Sequence, residues 1–209
     1  MIVSTTSTVQ GDRFVSSMNW KGYLALLEAF DERRVRITYD RGRVELLSPS
    51  RKHERVKTLL GQMVEFVCFE KEVDFCGLGS TTYKDQTIER RFEPDECYLF
   101  SPRLEELDGL EEPETLSPDL AIEVEISASA LDRLDIFAKF EVPEVWRYTN
   151  KDTLIILALE GGEYREATRS RFLPFLPPAQ IAEFVCKGLE STNSRLWLKE
   201  IQEWLREHP

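Results

Sequence analysis

Glu123 and Glu125 are the residues whose spacing first suggests chemistry. In the run Leu120 to Ser127, Ile122, Val124 and Ile126 alternate with the two glutamates. An extended chain turns successive side chains to opposite faces, so both carboxylates share one face and the aliphatic residues the other. Glutamate is depleted in strands and costly to bury unpaired. Two carboxylates side by side raise each other's pKa unless a cation neutralises them. An earlier run, Phe92-Glu93-Pro94-Asp95-Glu96-Cys97-Tyr98-Leu99-Phe100, carries another acid. Proline is disfavoured inside a central strand, so Pro94 marks a beginning or a bulge and sets Asp95 at a strand end. Asp95, Glu123 and Glu125 read as one oxygen-rich cation site. Asp119 is a rival for Asp95, because it shares strand parity with Glu123.

Such a site has a definite use. Magnesium takes hard oxygen ligands, usually keeps waters, and leaves positions for a phosphate oxygen. It lowers the pKa of a bound water and neutralises charge at phosphorus. Paired acids with a divalent ion, magnesium or manganese, suit charge-rich substrates such as phosphodiesters.

The elements that must position these acids follow from periodicity. Trp20, Tyr23, Leu24, Leu27 and Phe30 recur at helical spacing, with Ser17 or Asn19 as the cap. Residues 35–39 and 43–47 alternate about the turn Asp40-Arg41-Gly42, which makes a hairpin. Glu45 lies in its second strand, either as a further carboxylate of the site or as a solvent-facing residue. Ser48-Pro49-Ser50 then opens a long helix, Arg51 to about Lys71, with Val56, Leu59, Leu60, Met63, Val64 and Val67 on its apolar stripe. Arg51, Lys52, His53, Arg55 and Lys57 crowd its first turns, where positive charge opposes the helix dipole. A phosphate-facing role explains them; a solvated basic face is the plain alternative.

Residues 73–78 and 83–84 read as short extended pieces, and Arg90 to Phe100 as one strand carrying Asp95. After the acidic loop and the Glu123 strand, Ser129 caps a helix over residues 131–141, with Asp132 at its third position. That helix leads into a strand at residues 144–148, so the strands on either side of it should be parallel. Residues 154–159 and 164–168 form a hairpin through Gly161-Gly162. Two helices close the chain, from about Pro178 to Leu189 and from Asn193 or Ser194 to His208. The apolar stripe of the last one fits core packing or a dimer contact.

Bulk properties narrow the function classes. The chain has 209 residues, 42% of them hydrophobic and 31% charged, which fits an ordinary globular protein. Its net charge of −11 argues against a sequence-independent grip on nucleic acid over the whole surface, though not against a local basic patch. The four cysteines form no CxxC pair, which argues against structural zinc. Apolar neighbours suggest buried, reduced thiols, which suit the cytoplasm. Residues 1–14 contain no apolar leader core, and no run reaches the roughly 20 residues of a membrane span. A cytoplasmic protein without membrane partners is expected.

The order of helix, strands with Pro94-Asp95, acidic strand, helix and strand resembles the PD-(D/E)xK nuclease core, with the motif's final lysine changed. More closely, the chain resembles the Uma2 family of putative restriction endonucleases. The matching phrases are Val44-Glu45-Leu46-Leu47-Ser48-Pro49 with His53, Gly79-Ser80-Thr81-Thr82-Tyr83, Glu93-Pro94-Asp95-Glu96-Cys97-Tyr98, Pro118-Asp119-Leu120-Ala121-Ile122-Glu123-Val124 and Glu141-Val142-Pro143-Glu144-Val145-Trp146. They span roughly Trp20 to Val185.

The resemblance implies a restriction-endonuclease-like α/β fold: a mixed central sheet flanked by helices, with an N-terminal helix and hairpin and C-terminal helices added. It divides the chain into a polar segment (1–15), a nuclease-like domain (16–190) and a C-terminal helix on that domain or at a dimer interface (191–209). It implies Asp95 and Glu123 as metal ligands and Glu45 as the extra carboxylate of a magnesium-dependent DNA endonuclease. Glu125 stands where the motif's lysine belongs. A glutamate cannot offset phosphate charge as an ammonium does. Either a basic residue reaches in (Lys84 or Arg133, less readily Lys139), or Glu125 binds a second metal, or cleavage is lost and a binding or assembly module remains. Arg51, Lys52 and His53 are expected at phosphates. A homodimer is expected by analogy with nucleases that cut both strands.

Overall fold

The computed structural model describes residues 13–30, 35–107, 110, 116–126 and 131–208, with no account of the Arg13 side chain. Strand β1 (Arg13–Ser17), helix α1 (Trp20–Phe30) and the hairpin β2 (Arg36–Asp40) and β3 (Arg43–Leu47) come first. Asn19 Oδ1 accepts the Gly22 N–H at 2.9 Å, so Asn19 caps α1. The hairpin turn places Arg41 and Gly42 at φ +43° and +86°, the left-handed conformations a tight hairpin needs. Helix α1 packs Trp20 and Tyr23 on Tyr39, with ring centroids 4.8–5.3 Å from Tyr39.

Helix α2 (Arg51–Glu70) starts at Ser50, whose hydroxyl accepts the His53 N–H at 3.2 Å. Strands β4 (Phe75–Gly77), β5 (Tyr83–Asp85), β6 (Arg90–Phe92), β7 (Glu96–Phe100) and β8 (Leu120–Glu125) follow, with a short 3-10 turn at Arg103–Leu107. Helix α3 (Arg133–Lys139) then leads to β9 (Glu144–Thr149), β10 (Leu154–Glu160), β11 (Glu163–Ala167), α4 (Pro178–Glu190) and α5 (Ser194–Glu207). Asp132 itself caps α3 by accepting the Asp135 N–H at 3.1 Å, rather than sitting inside the helix. Ser129, expected as that cap, lies outside the described residues.

The strands form two sheets. One is antiparallel in the order β1-β3-β2-β6-β5; the other is mixed, in the order β11-β10-β9-β8-β7-β4. Strands β8 and β9 pair in parallel, from Leu120 opposite Glu144 to Glu125 opposite Thr149. This is the α/β fold expected. The N-terminal hairpin, however, is no isolated addition: β1, β6 and β5 extend it into a sheet of its own.

The expected single strand over Arg90 to Phe100 is in fact two, β6 in the antiparallel sheet and β7 in the mixed one. Pro94 is the physical reason. It has no N–H to give a ladder, so the chain leaves one sheet after Phe92 and enters the other at Glu96. Asp95 stands at that crossing, its N–H donating to the Ile122 carbonyl at 3.0 Å.

One side of the mixed sheet is covered by α2, α4 and α5. Val56, Leu59, Leu60 and Val64 of α2 join Ile122 and Val124 of β8 in the largest buried cluster, with Phe184, Trp197 and Ile201 of the last two helices. The last helix thus packs on the fold through Trp197, Ile201 and Leu205. A smaller cluster puts Ile136 and Phe137 of α3 against Phe92, Ala121 and Val145. The glutamate face of β8 turns away from the larger cluster. Among the described residues, no helix is long and apolar enough to cross a membrane.

Candidate active site between the two sheets

A cavity of about 150 Å³ is lined by Glu45, Asp95, Glu123 and Glu125 together with Arg36, His53, Arg133 and Arg147. Each element contributes through its own periodicity. Glu45 comes from β3, opposite Thr38 of β2. Glu123 and Glu125 come from the same face of β8, and His53 from the first turn of α2. Arg133 is the first residue of α3. The sequence-predicted acids, drawn from separate segments, therefore do meet.

Asp95 is the most enclosed of them, at 1% exposure. Its Oδ2 accepts the Val124 N–H at 2.5 Å and faces His53 Nε2 at 3.1 Å. Its Oδ1 forms an ion pair with Arg36, yet accepts no well-formed hydrogen bond. Glu45 is buried as well, which removes the solvent-facing alternative. Glu123 Oε1 accepts from Arg133 Nη2 at 2.6 Å. The same guanidinium also donates to the Glu93 carbonyl at 3.1 Å and to Thr38 Oγ1 at 2.9 Å, tying α3 to the antiparallel sheet. Glu125 is more open and lies 3.7 Å from Arg147.

The electrostatics follow from burial. Desolvation pushes the Glu123 carboxyl above its usual range, opposed chiefly by Arg133. Burial also lowers the Arg36 guanidinium, opposed by Glu123 and Glu54. His53 is pushed down to about 4, first by burial and then by Arg36. Glu54, whose Oε1 lies 3.2 Å from the ring Nδ1, pulls the other way but does not outweigh burial.

The expected basic partners part ways. Arg133 reaches the cavity; Lys84 and Lys139 are exposed and do not line it. Arg51 and Lys52 are exposed, with Lys52 Nζ 3.2 Å from Asp152, whereas His53 turns inward to Asp95. These residues therefore do not present a common face. Further along α2, Arg55 donates to the Gly188 and Ser191 carbonyls, at 3.1 and 3.3 Å, and so braces α4. Asp119 is a structural residue: it accepts the Phe100 N–H at 2.9 Å and pairs with Arg103 at 2.7 Å.

Arg36 and Arg147 went unforeseen. The signal for Arg36 was faint: Arg36 and Thr38 alternate with Ile37 and Tyr39, a pattern that also describes a solvent-facing edge.

Among the described residues, no three histidine, cysteine, aspartate or glutamate side chains are arranged to hold a metal ion. The donor chemistry suits magnesium or manganese, all hard carboxylate oxygens. The placement does not, because guanidinium groups occupy the sides of Asp95 and Glu123 that a metal would take.

A family model described as Uma2, putative restriction endonuclease, matches residues 20–187. The chain belongs to this family. The Uma2 match covers both sheets apart from β1, together with α1 to α3 and most of α4, and it takes in every residue lining the cavity. Membership points to nuclease activity, to DNA as substrate and, in general terms, to use of a divalent metal. No curated protein matches the chain.

Proposed function

We propose that this Uma2 protein is an endonuclease that hydrolyses DNA phosphodiester bonds, dependent on magnesium or manganese, with the cavity between the two sheets as its active site. The observation that carries the reading is the meeting of Glu45, Asp95, Glu123 and Glu125 beside Arg133 at one cavity. In this reading Asp95 and Glu123 are the metal ligands and Glu45 and Glu125 complete the acidic set. Arg133 supplies the positive charge that the motif's lysine would bring. Its guanidinium presents a planar donor fork suited to phosphate oxygens as well as to carboxylate. Because the present placement does not fit a metal, no step of the hydrolysis is assigned to one. Arg51 and Lys52 are proposed to meet the DNA backbone outside the cavity. The proposal extends to a homodimer, since cutting both strands asks for one site per strand, and to a cytoplasmic setting, where the four free thiols stay reduced.

The test is relaxation and linearisation of supercoiled plasmid with magnesium or manganese. The parent protein cuts and Asp95→Ala does not. Equal cutting by both would remove Asp95 from the site.

A second reading, a binding or assembly module without cleavage, is favoured by one observation: Asp95 and Glu123 each have an arginine partner. Its signature is a melting temperature unmoved by magnesium or manganese, together with an intact plasmid.

A further inference from the structure

Glu93 and Asp95 flank Pro94 and face two different spaces. Asp95 lines the acidic cavity, whereas Glu93 lines a second, more open cleft of about 530 Å³ with Arg36, Ser48, Glu54, Lys57 and Ser80. We propose that this cleft is a nucleobase subsite. It takes the base of an unpaired nucleotide next to the bond to be cut, and it prefers a base with an exocyclic amino group over thymine. This inference rests on the reading of the cavity as the place where a DNA strand is cut, and the base contact itself involves no metal.

Size separates the two spaces. Ligand pockets run to about 300–1,000 Å³. The acidic cavity, at about 150 Å³, has room for a reacting group but not for a whole nucleotide, and the cleft has room for one. The two are neighbours. Arg36 lines both, Glu54 follows His53 of the cavity in α2, and the Glu93 carbonyl accepts from Arg133 of the cavity at 3.1 Å. The loop that carries Ser80 is held in place: Thr81 Oγ1 donates to the Leu78 carbonyl at 2.5 Å and the Cys97 thiol to the Gly79 carbonyl at 3.2 Å. A strand with its phosphate at the cavity therefore meets a preformed cleft beside it.

The lining selects a neutral ligand. Arg36 and Lys57 balance Glu54 and Glu93 in formal charge, so the cleft as a whole does not favour a phosphate. It instead sets strong donors and strong acceptors around one space. Lys57 Nζ lies 3.8 Å from Glu96, beyond hydrogen-bond length, so its ammonium can turn to an acceptor on a ligand. Glu54 is half exposed, 3.8 Å from Arg36 and 3.2 Å from the His53 ring. Glu93 meets Arg91 through one oxygen at 3.3 Å. A carboxylate only accepts and an ammonium only donates. The complement is a flat group that carries amino donors and ring or carbonyl acceptors on its edges. Adenine, cytosine and guanine each carry both, whereas thymine has no amino group. A base out of its stack exposes those edges.

The experiment is fluorescence anisotropy of the full chain with short single-stranded oligonucleotides of deoxyadenylate, deoxycytidylate or thymidylate, in a chelator. The parent should bind the amino-bearing oligonucleotides at least about fivefold tighter than thymidylate. Glu54→Ala should weaken that binding and erase the preference. Plain electrostatics gives the opposite result, because removing a carboxylate from a chain of net charge −11 tightens its hold on DNA. Should Glu54→Ala fail to fold, Lys57→Met carries the test. It should weaken binding while leaving the salt dependence unchanged, whereas loss of a phosphate contact lowers the slope of log K on log salt by about 0.7. No binding by the parent, no preference in the parent, binding by Glu54→Ala as tight as the parent's, or a lowered slope in Lys57→Met each overturns the subsite. If the parent then still cuts plasmid with magnesium or manganese, the endonuclease reading stands without it. A Glu54-dependent preference in a protein that leaves plasmid intact overturns the endonuclease reading and keeps the subsite as a DNA contact.

Discussion

Arg133 grips Glu123 at 2.6 Å while its second arm holds Thr38 at 2.9 Å, so one guanidinium joins the acidic strand β8 to the antiparallel sheet. Neither sheet alone encloses the cavity. Its walls exist because charged side chains bridge the two, and the stability of the protein should report on them.

Replacing Arg133 with alanine strands the largely buried Glu123 carboxylate. Loss of one partner of a buried pair costs about 3 kcal/mol or more, whereas loss of an exposed pair costs little. Arg133→Ala should lower the urea midpoint accordingly. Arg133→Ala combined with Glu123→Gln should recover part of the loss, since no unpaired charge remains. A midpoint unchanged in the single variant would mean that the bridge holds nothing together.

Asp119 and Asp95 make a contrasting pair. Asp119 is occupied by the Phe100 N–H and Arg103, away from the cavity lining. Asp119→Ala should therefore cost about 2–3 kcal/mol of stability and leave plasmid cleavage per folded molecule unchanged. Asp95→Ala should abolish cleavage. Loss of cleavage in a folded Asp119→Ala protein would return that residue to the site.

His53 gives a pH dependence. Its folded-state pKa is lowered from 6.5 to about 4, so the unfolded chain binds the proton first. Stability from this residue is complete above about pH 6.5, is lost as pH falls toward about 4, and is level below that. At roughly 1.4 kcal/mol per unit the loss reaches about 3 kcal/mol. Glu123, with a raised pKa, acts in the opposite sense: stability is greatest below the usual carboxylate range and falls as pH rises through its folded value. The difference between the parent and His53→Gln in urea melts at pH 7.5, 6 and 4.5 isolates the histidine. A difference that does not change with pH would contradict the buried neutral ring.

Gly188 is where α4 meets α2 and α5. A Cβ there would lie 2.7 Å from Leu59 Cδ2 and 3.1 Å from Trp197 Cε2, both on buried side chains. Gly188→Ala gains up to about 1 kcal/mol of helix propensity but overpacks the junction at about 1–3 kcal/mol. A net fall in melting temperature is expected; a rise would show that the helices part easily.

The sequence made parts of this architecture readable because local pattern and final environment agree there. Ile122 and Val124 alternate with Glu123 and Glu125, and the fold buries one set against α2 and turns the other into the cavity. The β2–β3 hairpin and helix α2, with its Ser50 cap, obey the same local rules. What stayed hidden depends on the second sheet. Pro94 signals a break in either case, but only the packing of two sheets sends the chain from one to the other at Asp95. Arg36 reads as a surface residue until that sheet covers it. His53 reads with its basic neighbours as phosphate-facing, although helix geometry sets it about 100° from Lys52 and Glu54 and turns it inward.

Manganese anomalous scattering from crystals of the full chain tests the central proposal most directly. The account predicts a peak between the carboxylates of Asp95 and Glu123. Crystals of a protein that cuts DNA with manganese, yet show no peak there, would contradict it.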